Sequence, residues 1–255
     1  MPRERRHNRS RRRRGRLNAL YRLVAVLLVV AAATAGSIIF FRVQTVTVSG
    51  QVRYSAEEIL AVSRIETEDS LILLDKDAIA RRLRSELPYV ESVTVRRVFP
   101  DGVIITVVES AAAAATEIDG SWWLINSAGK LLEKVASPGS HAVLTGASFS
   151  QPQPGQTAAP SEESALRFAF ALDFLSAMER CGLLDGLTAL DCSSTDFTAA
   201  YGGRFSLLVP STGNFDEYLA LFRRAMEEEL GKNETGLFDF THYETTGYVY
   251  FRQQN

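Results

Sequence analysis

The apolar positions of this chain change period three times. From Leu23 to Phe41 they are continuous: LVAVLLVVAAATAGSIIFF contains no charged residue, with Arg22 on one side and Arg42 on the other. At 1.5 Å per residue the run spans roughly 28 Å, close to the hydrocarbon thickness of a bilayer, which predicts one membrane-spanning helix. Beyond it the period becomes two. Val46 and Val48 alternate with Thr45, Thr47 and Ser49, a half-buried strand that stops at Gly50. Ser55-Ala56-Glu57-Glu58 is a capping box, and Ile59, Leu60 and Val62 after it give a helix. Asp75 caps a second helix with Ile79, Leu83 and Leu87 on one face, Arg81, Arg82 and Arg84 on the other, and Pro88 at its end. Val93, Val95 and Val98 alternate again. Phe99-Pro100-Asp101-Gly102 forms a turn, and residues 103–108 (VIITVV) a return strand. The predicted order is β-α-α-β-β.

The Ala run 111–115 reads as a junction to a second domain, or as a strand that continues in small residues, and the boundary is placed near residue 110. The second domain is richer in strands. Residues 121–125 and 130–133 flank a four-residue hairpin loop, Asn126-Ser127-Ala128-Gly129; residues 148–161 are loop. A helix starting at Ser161 presents Leu166, Phe170, Phe174 and Met178, and Gly182 stops it. Thr188–Leu190 is a short strand. Phe197–Tyr201 and Arg204–Val209 form a hairpin turned by Gly202-Gly203. Asn214-Phe215-Asp216-Glu217 caps a helix with Leu219, Phe222, Met226 and Leu230 inward, and Leu237–Phe240 and Gly247–Phe251 are closing strands. The fold class is α+β: a single transmembrane helix, a β-α-α-β-β domain, and a mixed, β-rich domain with two main helices.

Charge sharpens this division. Residues 1–22 carry ten arginines against one glutamate, net +9; the remainder carries 18 basic against 29 acidic residues, net −11. The positive-inside rule then puts a basic tail (1–22) in the cytoplasm and the body outside. A cleavable signal peptide shares the basic and apolar regions, and Ala33-Thr34-Ala35 resembles a cleavage site, yet the apolar run continues through Ile38-Ile39-Phe40-Phe41. A twin-arginine signal at Arg11-Arg12 lacks its following apolar residues, and a buried core helix would need a polar face. An arginine tail beside an anchor sets topology and touches anionic lipid, and no nucleic-acid partner is expected. Cys181 and Cys192, both on the outer side, read as two buried thiols or one disulfide.

Candidate chemistry is sparse. His7, His141 and His242 are far apart, and no Cys or His cluster has metal-ligand spacing. The acidic pairs Glu57-Glu58 and Glu162-Glu163 and the run Glu227-Glu228-Glu229 occupy adjacent helical positions that do not face each other, so they suit helix N-termini and solvated faces better than acid–base work. Trp122 and Trp123 point to opposite faces of a strand, which leaves at most one for stacking on a sugar. No enzyme activity, cofactor, metal or small-molecule substrate is expected. The aromatic closing segment is different in kind: a terminal strand at a sheet edge can accept another strand, and alternation puts Tyr248 and Tyr250 on one face, Val249 and Phe251 on the other. An ordinary core strand is the competing reading.

The residues Val46, Val48, Gly50, Ser55, Glu58, Ile59, Leu83, Leu87-Pro88-Tyr89-Val90, Val93, Val95, Phe99-Pro100 and the strand ending in Glu109 resemble the POTRA domain of the bacterial cell-division family FtsQ, called DivIB in Gram-positive bacteria. Leu124-Ile125-Asn126 with Gly129-Lys130, and Tyr201-Gly202-Gly203-Arg204-Phe205, resemble that family's β domain. Gly50-Gln51 stands where Gly-Asn is usual in the family. The resemblance implies a tail (1–22), transmembrane helix (23–41), POTRA-like domain (42–110), β domain (111–252) and a short end (253–255). It further implies a non-enzymatic, single-pass scaffold of the division septum. Its partners would be the bilayer, FtsB/DivIC-type and FtsL-type division proteins, and septal cell-wall synthases. Carried over, the partner-binding residues are Tyr248, Val249, Tyr250 and Phe251. Two rivals remain open: a POTRA component of a transport or secretion pore, which needs many amphipathic strands, and an anchored cell-wall enzyme, which needs a converging nucleophile or metal set.

Overall fold

The structure is a computed structural model that describes Ser10 to Gln254, residue 232 excepted, with side chains from Leu20 onward. It divides into two compact units: residues up to Ala80 with Thr94–Thr106, and Arg81–Val93 with Val107 onward. Met1 to Arg9, which carry part of the expected basic tail, and Asn255 lie outside the described residues, as do the side chains of the arginines at 11–14 and 16.

In the first unit the opening helix α1 runs Ser10–Phe40. Its segment Leu20–Phe40, 21 residues, is long and apolar enough to cross a membrane, and its most apolar stretch is buried by nothing else among the described residues. That exposure removes the core-helix reading. Strand β1 (Thr45–Ser49) follows within a few residues. Helix α2 (Ala56–Ser63) starts at the expected box: Glu58 N–H donates to Ser55 Oγ, and Ser55 N–H to the Glu58 carboxylate, 2.8 Å. These bonds hold the Glu58 carboxyl below its ordinary range. Helix α3 (Lys76–Glu86) begins where the Asp75 carboxylate accepts from the Asp77 and Ala78 N–H groups. Ile79, Leu83 and Leu87 are buried, as their spacing of four requires. Strands β2 (Val90–Val98) and β3 (Gly102–Glu109) complete the order β-α-α-β-β. The sheet order is β1-β3-β2, with β1 parallel to β3 from Thr45↔Gly102 to Ser49↔Thr106. A parallel pair needs a connection that brings the chain back to its starting end, and α2, α3 and β2 together supply it.

The second unit holds a nine-stranded mixed sheet. Its strands are β4 (Ala114–Ile118), β5 (Ser121–Ile125), β6 (Leu131–Val135), β7 (Ala142–Thr145), β10 (Leu187–Asp191), β11 (Phe197–Tyr201), β12 (Phe205–Val209), β13 (Gly236–Asp239) and β14 (Tyr250–Gln253). Two short strands, β8 (Phe149–Ser150) and β9 (Ala159–Pro160), pair separately within the expected loop. The large sheet is ordered β14-β13-β12-β11-β10-β7-β4-β5-β6. Helices α4 (Ala165–Arg180) and α5 (Phe215–Arg224) pack on each other and on one aromatic core; Phe174 meets Phe197 at 5.1 Å and Phe215 at 5.7 Å.

Several expectations need correction here. Two of the five residues of the Ala run belong to β4: Ala114 and Ala115 are fully buried. Helix α4 starts at Ala165 rather than Ser161, and its inward face is Phe168, Ala171, Phe174, Leu175 and Met178, which leaves Leu166 exposed. The Gly202-Gly203 turn has three residues, since Tyr201 pairs with Phe205; both glycines are left-handed, φ 59° and 66°. Asn214 caps α5 by accepting from Glu217 N–H, without the reciprocal backbone bond of a full box. After Arg224 the helix widens into a π turn, Ala225–Glu229, closed by Leu230 N–H to Ala225 O; Met226 and Leu230 are therefore only partly buried. The last strand begins at Tyr250, not Gly247, because a short helix α6 (Tyr243–Thr246) ends in a left-handed Gly247, φ 70°.

Candidate interaction edge at the C-terminal strand

Gly236, Phe238 and Phe251 fix β14 against β13, its neighbour in the sheet. The register runs antiparallel from Gly236↔Gln253 to Asp239↔Tyr250. The Phe251 ring lies 4.8 Å from Phe238, which itself meets Phe222 of α5 at 5.0 Å and Phe205 at 5.6 Å. The two edge-on pairs, Phe238–Phe222 and Phe238–Phe205, add about 0.5–1.5 kcal/mol each beyond burial. A Cβ on Gly236 would stand 2.5 Å from Arg252 O and 2.6 Å from the Phe251 ring, so only glycine lets β14 come this close.

Outside the ladder, Arg252 reaches the buried Asp239 carboxylate at 3.6 Å. Burial works against that charge. The Thr241 hydroxyl (2.6 Å) and N–H (3.1 Å) donate to it and, with Arg252, hold the carboxyl below its ordinary range. Helix α6 is tied to α5 by two phenols. Tyr218 donates to Glu244 at 2.9 Å and Tyr243 to Glu217 at 2.6 Å; burial first and the Glu244 bond second push the Tyr218 hydroxyl up, and the Glu217 bond does the same for Tyr243.

The other side of β14 is open among the described residues. Gln254 N–H donates to Thr235 O at 2.9 Å, so Thr235/Gln254 is a hydrogen-bonded pair. Bonded and non-bonded pairs alternate in an antiparallel ladder. Tyr250 and Arg252 therefore turn their backbone groups to β13, and Phe251 and Gln253 turn theirs outward. The opposite edge of the sheet differs: at β6, Leu131 N–H donates to Gln156 O and Gly155 N–H to Leu131 O, so a loop covers it.

Of the four residues expected to bind a partner, Tyr250 and Phe251 lie on β14; Tyr248 and Val249 lie on the segment that leads to it. Alternation holds across the four: Tyr248 and Tyr250 are 71% and 47% exposed, while Val249 and Phe251 pack on the core. Beside this segment is a groove of about 460 Å³, lined among others by Leu221, Phe222, Ala225, Leu230, Tyr248 and Phe251. No sequence signal points to it, because the helical spacing from Leu219 to Leu230 is continuous and nothing in it announces a π turn.

Elsewhere the chemistry is bland. Among the described residues no three His, Cys, Asp or Glu side chains gather as metal ligands. Cys181 and Cys192 are unbonded thiols, and burial pushes the Cys192 thiol up. Trp123 is buried and Trp122 half-buried.

Anchor-type helix, three-stranded helix-backed sheet and β-rich unit define the class: a POTRA protein with one N-terminal helix suited to a single-pass anchor. Residues 41–110 match the family model described as "POTRA domain, FtsQ-type". The chain is 33% identical over 90 residues to the cell division protein FtsQ of Streptomyces griseus, covering 35% of this chain and 43% of that one. It is 35% identical over 114 residues to FtsQ of Streptomyces venezuelae (44% and 42%), and 28% identical over 163 residues to FtsQ of Geobacter sp. strain M21 (63% and 56%). The expected resemblance is borne out over this region: residues 41–110 form a POTRA domain of the FtsQ type, and the chain is similar to the FtsQ cell division proteins. The matched regions span less than two thirds of each relative's length.

Proposed function

We propose that this chain is a non-enzymatic scaffold of the bacterial division septum, which captures other membrane-anchored division proteins on the open edge of β14. The observation that carries the reading is the outward backbone of Phe251 and Gln253 beside the exposed rings of Tyr248 and Tyr250. An incoming strand gains affinity from those main-chain groups and selectivity from the aromatic rings. The occupant is a strand of an FtsB/DivIC-type protein that travels with an FtsL-type protein, and septal cell-wall synthases are recruited around them. The anchor adds to this by confining the chain and its partners to one membrane, which raises their effective concentration. With the basic tail in the cytoplasm, the POTRA and β domains act on the outer side.

The test is capture of the FtsB/DivIC-type partner by a Tyr250→Asp variant whose circular dichroism matches the wild type. A loss of at least about tenfold in affinity is expected for removing an aromatic anchor and adding a charge at the edge. Unchanged capture would remove this interface. In cells, depletion should give filaments without septa.

A further inference from the structure

Where α1 ends, three aromatic rings form a chain. Phe40, the last residue of the helix, is 75% exposed and meets the Phe41 ring edge-on at 5.2 Å; Phe41 meets Phe99 at 5.3 Å. Phe99 comes from the turn between β2 and β3 and is itself 59% exposed. The connection is not a loose tether. Val43 N–H donates to Asp69 O, Gln44 N–H to Asp101 O and Leu71 N–H to Phe41 O, all at 2.8–2.9 Å. The Arg42 guanidinium donates to Ile39 O and to the Glu68 carboxylate. The exposed Leu73 lies on the same loop as Leu71. Single exposed aromatics are common on protein surfaces, but these three are contiguous with the end of an apolar span.

We propose that Phe40, Phe41 and Phe99 form a collar that sits in the headgroup–acyl boundary of the membrane crossed by α1, and so seats the Phe99 turn on the lipid. The inference rests on the reading of α1 as an anchor and adds a second lipid contact to it. The interfacial layer is about 5–8 Å thick on each side of the hydrocarbon core, and aromatic rings prefer it. With Phe40 at that level, two ring contacts of little more than 5 Å each leave Phe99 in or beside the layer. Hydrogen bonds rather than a flexible linker hold it there. The collar makes the bilayer an orienting surface for this turn, and not only a tether point for the chain.

The full chain, reconstituted in phospholipid nanodiscs, tests this with tryptophan reporters. Phe40→Trp, Phe99→Trp and Val52→Trp are compared with the wild type, whose Trp122 and Trp123 set the baseline. Lipids brominated near the headgroup end of their acyl chains are the quencher. Val52 is 90% exposed and lies beyond the far end of β1, so it is the distal control. The expected result is strong extra quenching for Phe40→Trp and Phe99→Trp and none for Val52→Trp. Quenching at 40 without quenching at 99 overturns the collar and leaves the anchor intact. Quenching at neither position overturns the anchor reading itself. Quenching at all three shows non-specific adhesion and overturns the collar.

Discussion

Replacing Gln253 with proline tests backbone docking at the edge without altering its aromatic side chains. The register and the Gln254–Thr235 bond turn the Gln253 N–H away from β13. Proline there deletes no bond of the folded chain, its φ is tolerated on an edge strand, and the preceding Arg252 is already extended. It removes one donor to an incoming strand, worth about 0.5–1.5 kcal/mol net, and adds a ring that holds that strand off. One lost bond alone weakens binding by roughly two- to tenfold, and the obstruction makes tenfold the expected floor. Arg252→Pro is the matched control. Its N–H faces Leu237 in the ladder, so that variant lowers the melting temperature as well. The assay is titration of the partner's soluble domain against both variants, with thermal unfolding alongside. Unchanged affinity in a folded Gln253→Pro variant would refute strand addition at this edge, whatever Tyr250→Asp does.

The remaining predictions concern what holds the edge in place. Gly236→Ala should cost about 1–3 kcal/mol and loosen β14, seen as faster amide exchange at Phe251 and Gln253, because its Cβ would stand 2.5 Å from Arg252 O. Phe222→Ala empties the fully buried ring between Phe205 and Phe238 and should cost about 3–5 kcal/mol, a fall of roughly 6–20 °C by calorimetry. Asp239 has a depressed carboxyl, so it stabilises the folded state above its unfolded value near 3.8, and that stability is lost as pH falls through the lower folded value. Asp239→Asn should accordingly flatten the acid side of the stability–pH curve below about pH 4 and leave its slope at neutral pH unchanged.

The span and the POTRA order were legible because each is written in short-range terms. An unbroken apolar run needs only its own length to define a helix long enough to cross a membrane. The Ser55–Glu58 box, Asp75 and the spacing of Ile79, Leu83 and Leu87 specify helices by contacts within a turn or two. The face alternation of Tyr248 to Phe251 was readable in the same way, from a period of two. Strand order was not. Nothing local tells β7 to lie between β4 and β10, or β14 to stand at the end of nine strands rather than inside them, since those pairings join residues far apart in sequence. Tertiary structure alone also decided which groups of β14 face outward, that Gly236 yields its space to Phe251, and that a π turn opens a groove beside them. The residues of the edge could be named from the chain; that it is an edge depends on which neighbours the packed core leaves unfilled.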